Sequence, residues 1–434
     1  MRNSAGILLI VLLLLTLACS RRRTEEEVLW EYYKGFTYSP GLFDSLAQEV
    51  RSKQAKSFLM GLKCFEKYSQ DKKADCYDSA RIIFAELQSK YSESYLGHLG
   101  TGILFTERGK FTGEKNLFDS ARKHYSRARL AYSRANLENP KHPAIYYYSG
   151  RNEYNADQRK ISIEAIQFLD TAIVFKPDFF KANERSAEYL SHYLDIAHAA
   201  KNKKTGALEN EDVVTLEEFN ISFPQAENRI RYLFNRSLAL DSSWQETYEG
   251  IAKAHRVYST HDRINYLTKA IKIAEIKNVD YFELQKRITE LHFYELNDYI
   301  NSFNYFEKWI DIHGKPEDYV NRGWCYYYLG EKNDARKDFM RAFNSKSEGA
   351  SFQAAQYYKL EHKYDSAILF LNKVIDNSSE KSRLVDVSRV EKAKMLILLK
   401  KNPEAKAILT QLVNKGAPGD IETLHNAKTL LESL

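Results

Sequence analysis

Between Pro316 and Gly349 the chain reads PEDYVNRGWCYYYLGEKNDARKDFMRAFNSKSEG, two short amphipathic helices joined at Leu329-Gly330-Glu331. The first carries Gly323 where a neighbouring helix has to come close. The second repeats small and large apolar residues at Ala335, Phe339 and Ala342, which is helical spacing. Two short helices cannot bury both of their apolar faces against each other alone, so such a pair needs further pairs stacked on it. That requirement constrains the fold more than length does. At 434 residues the chain would otherwise be divided into two or three globular domains.

Weaker copies of the pair run along most of the sequence. Second helices are marked by Ala80, Phe84 and Leu87, by Ala128, Tyr132 and Ala135, and by Ala165, Leu169 and Ala172. Two of these stop at Asn139-Pro140 and Lys176-Pro177, where proline ends a helix by removing a donor and clashing with the preceding turn. Further second helices follow at Ile230-Phe234-Ser237, Leu267-Ala270, Ser302-Phe306-Trp309, Ala367-Leu371-Val374 and Ala405-Leu409-Leu412. The stretch Asp420–Leu434 is left as a single amphipathic helix, suited to cap an open stack. The count is about nine hairpins, against the roughly three that a stable stack requires. Two stretches interrupt the period: a loop expected at Gly109–Asn116 and an insertion at Lys201–Pro224 that turns acidic at Glu209-Asn210-Glu211-Asp212.

Composition agrees with helix. Only 8 prolines and 18 glycines leave few turns for a β-rich fold. The 30 tyrosines and 23 phenylalanines suit helix seams and binding grooves, where a ring packs and a polar tip stays wet. The formal charge of +6 comes from 64 basic and 58 acidic residues interleaved along the chain. Nucleic-acid binders cluster their basic residues in stripes, and no stripe is found, so no nucleic acid is expected as a partner.

These features resemble the tetratricopeptide repeat (TPR) family. The resemblance implies an all-α superhelix, or solenoid, of about nine TPR-like helical hairpins with a C-terminal capping helix. Its first helices line the concave side, which implies a role in binding a protein or extended peptide without catalysis or cofactors.

The opposite end carries a different message. Arg2, the apolar run Ile7–Leu17 and the small residue Ala18 form the three parts of an export signal, too short to span a bilayer. Thr16-Leu17-Ala18-Cys19 resembles the lipobox of bacterial lipoproteins, with Thr16 in place of the usual aliphatic residue. That resemblance implies an acylated Cys19 as the membrane anchor of a cell-envelope protein. Ser20, where an inner-membrane lipoprotein would carry Asp, favours the outer membrane. The resulting division is signal peptide 1–18, lipidated tether 19–24, irregular N-terminal hairpins 25–200, insertion 201–224, and C-terminal array with capping helix 225–434.

Chemistry-bearing constellations are few. Gly109–Lys115 lacks the spacing and the Lys-Ser/Thr pair of a phosphate loop. His192, Asp195 and His198 lie three apart on one helix, which suits a solvated face better than a metal site. No metal ligand set and no catalytic residue is assigned. Cys64 and Cys76 flank the turn near Asp71, and two readings stay open: a disulfide formed after export, or two small residues packed in a seam. Asp-Ser/Thr pairs such as Asp78-Ser79 and Asp119-Ser120 are similar to an O-glycosylation signal of exported proteins. Helix-starting Asp explains several of them without it.

The resemblance also gives a register for the concave face. In the opening unit Gly323 and Tyr326 turn inward, leaving Val320, Trp324 and Tyr327 toward the groove. The same register points Tyr147, Arg151 and Tyr154, then Tyr248 and His255, then Phe352, Gln356 and Lys359, to that face. Aromatic anchors mixed with cations are what protein-binding hot spots contain. The same rings would also serve to complete the seams. The leading expectation is a membrane-anchored scaffold binding a protein or extended peptide. The alternative is a glycan- or nutrient-binding outer-membrane lipoprotein that stacks sugars on exposed rings.

Overall fold

The computed structural model describes residues 24–33, 40–138, 140–156, 163–203, 221–312, 314–343, 347–378, 382–415 and 421–434. The export leader, Cys19 and residues 204–220 of the insertion lie outside them. The described residues form 21 α-helices and no strand, an all-α solenoid of helical hairpins. They fall into two compact units, divided between Ile273 and Ala274.

The first unit begins with two helices that precede the hairpins, α1 (Glu25–Tyr33) and α2 (Pro40–Glu49). Five hairpins follow: α3 (Lys53–Asp71) with α4 (Ala74–Lys90), α5 (Tyr95–Thr112) with α6 (Lys115–Ala135), α7 (Pro143–Ala156) with α8 (Ile163–Phe175), α9 (Phe180–Lys203) with α10 (Phe223–Leu240), and α11 (Gln245–Lys253) with α12 (Thr260–Ile276). The second unit holds α13 (Phe282–Glu290), extended by a π-turn over Leu291–Glu295, with α14 (Tyr299–Ile312). It continues through α15 (Pro316–Tyr328) with α16 (Lys332–Phe343), α17 (Glu348–Leu360) with α18 (Tyr364–Asn377), and α19 (Arg383–Leu398) with α20 (Asn402–Lys415). The last helix, α21 (Ile421–Glu432), buries Ala427 against α19 and α20, the capping position expected of it.

Close helix approach is built on small residues facing rings. Phe84 of α4 is fully buried between Gly61 of α3 and Gly100 of α5; a Cβ on either glycine would lie 2.4 Å from its ring. Only glycine leaves room for the ring there, and burying it contributes about 2–3 kcal/mol. Gly323 plays the same part more loosely, its added Cβ falling 3.3 Å from Phe339. The turn of that hairpin forms where expected. Gly330 takes φ +88, and the N–H of Glu331 donates to the Tyr326 carbonyl at 2.8 Å, closing the end of α15.

Three expectations change. The loop placed at Gly109–Asn116 is only Gly113-Glu114. Gly109 continues α5 because its bare Cα seats the ring of Phe118, and the chain turns instead at Gly113, whose φ is +75. Both ends of the expected insertion are helical, α9 reaching Lys203 and α10 starting at Phe223 with proline in its first turn.

The third change concerns Glu25–Tyr33, which the sequence division places at the start of the irregular N-terminal hairpins. It is a docked helix. Val28, Leu29, Trp30, Tyr32 and Tyr33 of α1 are all buried. Trp30 meets Phe179 edge-on at 4.9 Å, Tyr33 meets Tyr148 at 6.3 Å and His142 at 5.8 Å, and Tyr132 donates to Glu26 at 3.2 Å. Glu25 accepts from the backbone N–H of Arg51 at 2.9 Å and from that of Ser52, at the start of α3. Burial alone would raise the Glu25 carboxyl, but those N–H donors outweigh it and hold its pKa low. One nine-residue helix therefore touches four successive hairpins.

Candidate binding faces

In the first unit, the first helices α3, α7, α9 and α11 bring their polar residues to a shared face. Glu188 of α9 is the hub. It pairs with Arg185 one turn away and with Lys253 of α11 at 3.3 Å. Arg185 also lies 3.2 Å from Glu184, a carboxylate only 1 % exposed. Burial raises the Glu184 pKa to about 7, with the Arg185 charge opposing the shift. Next along α9, Tyr189 stacks flat on Tyr154 of α7 with centroids 3.7 Å apart, and the Tyr154 hydroxyl lies 3.0 Å from His192 Nδ1. Asp195 then meets Arg256 at 2.9 Å and His255 at 3.5 Å. His192, Asp195 and His198 are thereby committed to different neighbours, the last against the Phe223 ring. Among the described residues no three His, Cys, Asp or Glu side chains converge to hold a metal.

The groove register expected from sequence needs correction at four positions. Tyr147, Tyr248 and Val320 are buried in seams rather than presented on a face. Tyr147 packs on Phe179 at 4.9 Å, and Tyr248 donates to the carbonyl of Ser242 at 2.9 Å. His255 is exposed but off the helix, since α11 ends at Lys253. Arg151 and Tyr154 are half-buried on the shared face, next to Tyr189.

In the second unit Trp324, Tyr327, Phe352, Gln356 and Lys359 are all half-buried. Lys359 is not a free cation: it meets Glu391 of α19 at 2.7 Å. Trp324 sits edge-on to Phe339 at 5.1 Å, Tyr327 edge-on to Tyr357 at 5.7 Å. Sequence reasoning missed the rings that continue this surface. Tyr328 stacks on Trp324 at 6.0 Å and on Tyr299 at 4.5 Å, with Phe293 and Tyr294 beside them. Tyr328 is 49 % and Tyr294 69 % exposed. The run Tyr326-Tyr327-Tyr328 was the available signal, because three consecutive tyrosines on a helix cannot all face one seam.

Cys64 and Cys76 are both free, half-buried thiols, and Cys325 is a buried one. Burial, and Cys76 nearby, push the Cys64 thiol up. In the Asp-Ser/Thr pairs, Ser79, Ser120 and Thr171 hydroxyls donate to carbonyls four residues back within their own helices. No helix of the described residues is long and apolar enough to cross a membrane.

The fold defines the class: an all-α array of TPR-like helical hairpins. No family model matches the chain. No curated protein matches it either. Among solved structures it is similar to a tetratricopeptide repeat protein from Parabacteroides merdae, at 15% identity and a TM-score of 0.34 over 69% of this chain and 98% of that one. It is also similar to YrrB, described as a TPR protein with an unusual peptide-binding site, at 17% identity and TM-score 0.28 over 47% and 93% of the two chains. The human IFIT1 dimer with PPP-AAAA aligns over 94% and 93% at 13% identity, TM-score 0.40. At these values the fold assignment rests on the packing described above and not on the likenesses.

Proposed function

We propose that the chain is a non-catalytic scaffold, acylated at Cys19 and held at a bacterial envelope membrane, that binds an extended segment of another protein. The outer membrane is favoured over the inner. The observation that supports binding is the aromatic ladder Tyr299–Tyr328–Trp324–Tyr327, whose neighbouring centroids lie 4.5, 6.0 and 5.8 Å apart. Its rings are packed well enough to be rigid, yet Tyr328 stays half in solvent. Rigid aromatic anchors with an accessible edge lose little entropy on binding, which is why hot spots use them.

Cross-linking in native membranes followed by mass spectrometry tests the assignment. The wild type captures a protein that a Trp324→Ala, Tyr327→Ala, Tyr328→Ala variant loses; identical capture by both removes this face from consideration. Anchoring is tested separately. Cys19→Ala abolishes fatty-acid labelling and releases the protein, and unlabelled protein that still pellets with membranes counts against the lipoprotein reading.

The exposed rings of Tyr294 and Tyr328 favour one second reading, a glycan-binding lipoprotein in which the ladder stacks on sugar faces. Micromolar binding on a glycan array, lost in the same triple variant, would select it.

A further inference from the structure

His98, in the first turn of α5, and His124, in the middle of α6, meet across the second hairpin. Their Nδ1 atoms lie 3.2 Å apart and their ring centroids 5.4 Å apart. Both rings are half-buried, and the Phe105 ring packs edge-on to His124 at 5.6 Å. Among the described residues neither imidazole makes any other hydrogen bond or an ion pair. His142, His192 and His292 differ, each having a tyrosine or aspartate oxygen beside a ring nitrogen.

Two Nδ1 atoms at this separation can share one proton, one ring donating to the lone pair of the other. They can also present both lone pairs to one ion. Nitrogens bound about 2.0–2.1 Å from a tetrahedral ion lie about 3.3–3.4 Å apart, and about 2.9 Å apart as neighbours in a square plane. The 3.2 Å separation falls between the two. Loading the pair therefore needs little movement of either helix. The proton on one Nδ1 transfers to the Nε2 of the same ring, and both rings remain neutral.

The surroundings favour that neutral form. Burial first, then the charge of Arg127, lowers the His98 pKa, and burial, His98 and Arg127 in turn lower that of His124 to about 4. Arg127 opposes a bound cation as it opposes a proton. Its side chain is exposed, one turn beyond His124, so water and salt screen its charge, which weakens the site without closing it.

We propose that His98 and His124 form a two-nitrogen binding site for a divalent transition-metal ion of the Zn(II), Ni(II) and Cu(II) group, with water or an external ligand in its remaining positions. The site uses no residue of the aromatic ladder and does not depend on the membrane anchor.

Calorimetric titration of the full chain with zinc chloride at pH 7.5 tests it. One ion per chain is expected to bind at micromolar concentrations. His98→Gln and His124→Gln each weaken this binding at least tenfold, and the double variant is about as weak as either, because one ion needs both rings. Arg127→Gln tightens binding severalfold, and the exposed control His425→Gln leaves it unchanged.

Co(II) is a second probe, read on the wild type so that a misfolded variant does not decide the question. Imidazole ligation gives visible d–d bands without the near-ultraviolet charge-transfer band of a thiolate ligand, and the double variant Cys64→Ser, Cys76→Ser leaves them unchanged. Three results overturn the proposal: no saturable Zn(II) binding up to millimolar concentration, Zn(II) binding that both glutamine variants leave intact, or a Co(II) spectrum carrying the thiolate band.

Discussion

The hydroxyl of Tyr32 donates a 3.0 Å hydrogen bond to the carboxylate of Glu66, tying the N-terminal helix to the first hairpin. Burial raises the Glu66 carboxyl, and the Tyr32 hydroxyl works against that shift. Tyr32→Phe keeps the ring and leaves the carboxylate short of a partner, which costs about 1–3 kcal/mol. Trp30→Ala removes the contact with Phe179 and is expected to cost about 3–5 kcal/mol. Urea unfolding of the first unit's transition measures both. If neither substitution moves the midpoint, α1 is not docked as described.

The docking of α1 depends on pH through His142. This ring is 1 % exposed, caged by Tyr33, Tyr95 and Tyr132 with Glu26 at 3.9 Å. Burial pushes its pKa down to about 3. A depressed histidine pKa means that the folded state excludes a proton the unfolded chain accepts near 6.5. Stability from this site is therefore complete above pH 6.5 and drains away as the pH falls toward 3. His142→Phe, which fills the cage without titrating, flattens that slope; chemical denaturation at pH 7.5, 5.5 and 4.5 compares the two proteins.

Glycine positions separate cleanly by what surrounds them. Gly100→Ala drives a methyl to 2.4 Å from the Phe84 ring and is expected to cost about 1–3 kcal/mol. Gly349→Ala, in the first turn of α17 with nothing within 4 Å, should be neutral or stabilising by about 0.4–1 kcal/mol. Thermal unfolding of the two single variants tests the contrast, which disappears if the glycines serve only flexibility.

Arg322 and Asp338 close the hairpin of α15 and α16 with a two-point ion pair at 2.7 and 2.9 Å. The Asp338 side chain is 3 % exposed. Arg322→Ala leaves that carboxylate only the more exposed Arg341, at 3.5 Å, and is expected to cost about 1–3 kcal/mol, whereas the double variant Arg322→Leu, Asp338→Leu recovers most of the loss. A double-mutant cycle by denaturation gives the coupling, and additive losses would show the pair to be inert.

The phase of the hairpins was legible because the rule behind it is local. A small residue on one helix faces a large one on the next, as Gly323 faces Phe339, and both lie in one stretch of sequence. What each first helix presents beyond its own hairpin was legible only in part. Tyr147 and Val320 follow the groove register but are claimed by adjacent hairpins, and Lys359 finds Glu391 32 residues on. Gly109 was misread as a turn because a glycine at a close contact and a glycine at a bend look alike in sequence. Nothing in Glu25–Tyr33 announces its seat. Its partners lie on four hairpins, and no local period encodes them.

That seat sets an order of events in the making of the protein. The bond from Tyr132 to Glu26 joins residues 106 apart. At about 5–20 residues per second of synthesis, some 5–20 s pass between the appearance of the two. Throughout that interval Val28, Leu29, Trp30 and Tyr33 are an unclaimed greasy strip on the nascent chain, open to any helper that shields such strips. The first of the described helices to be made must wait for residues more than a hundred positions further on before it finds its place.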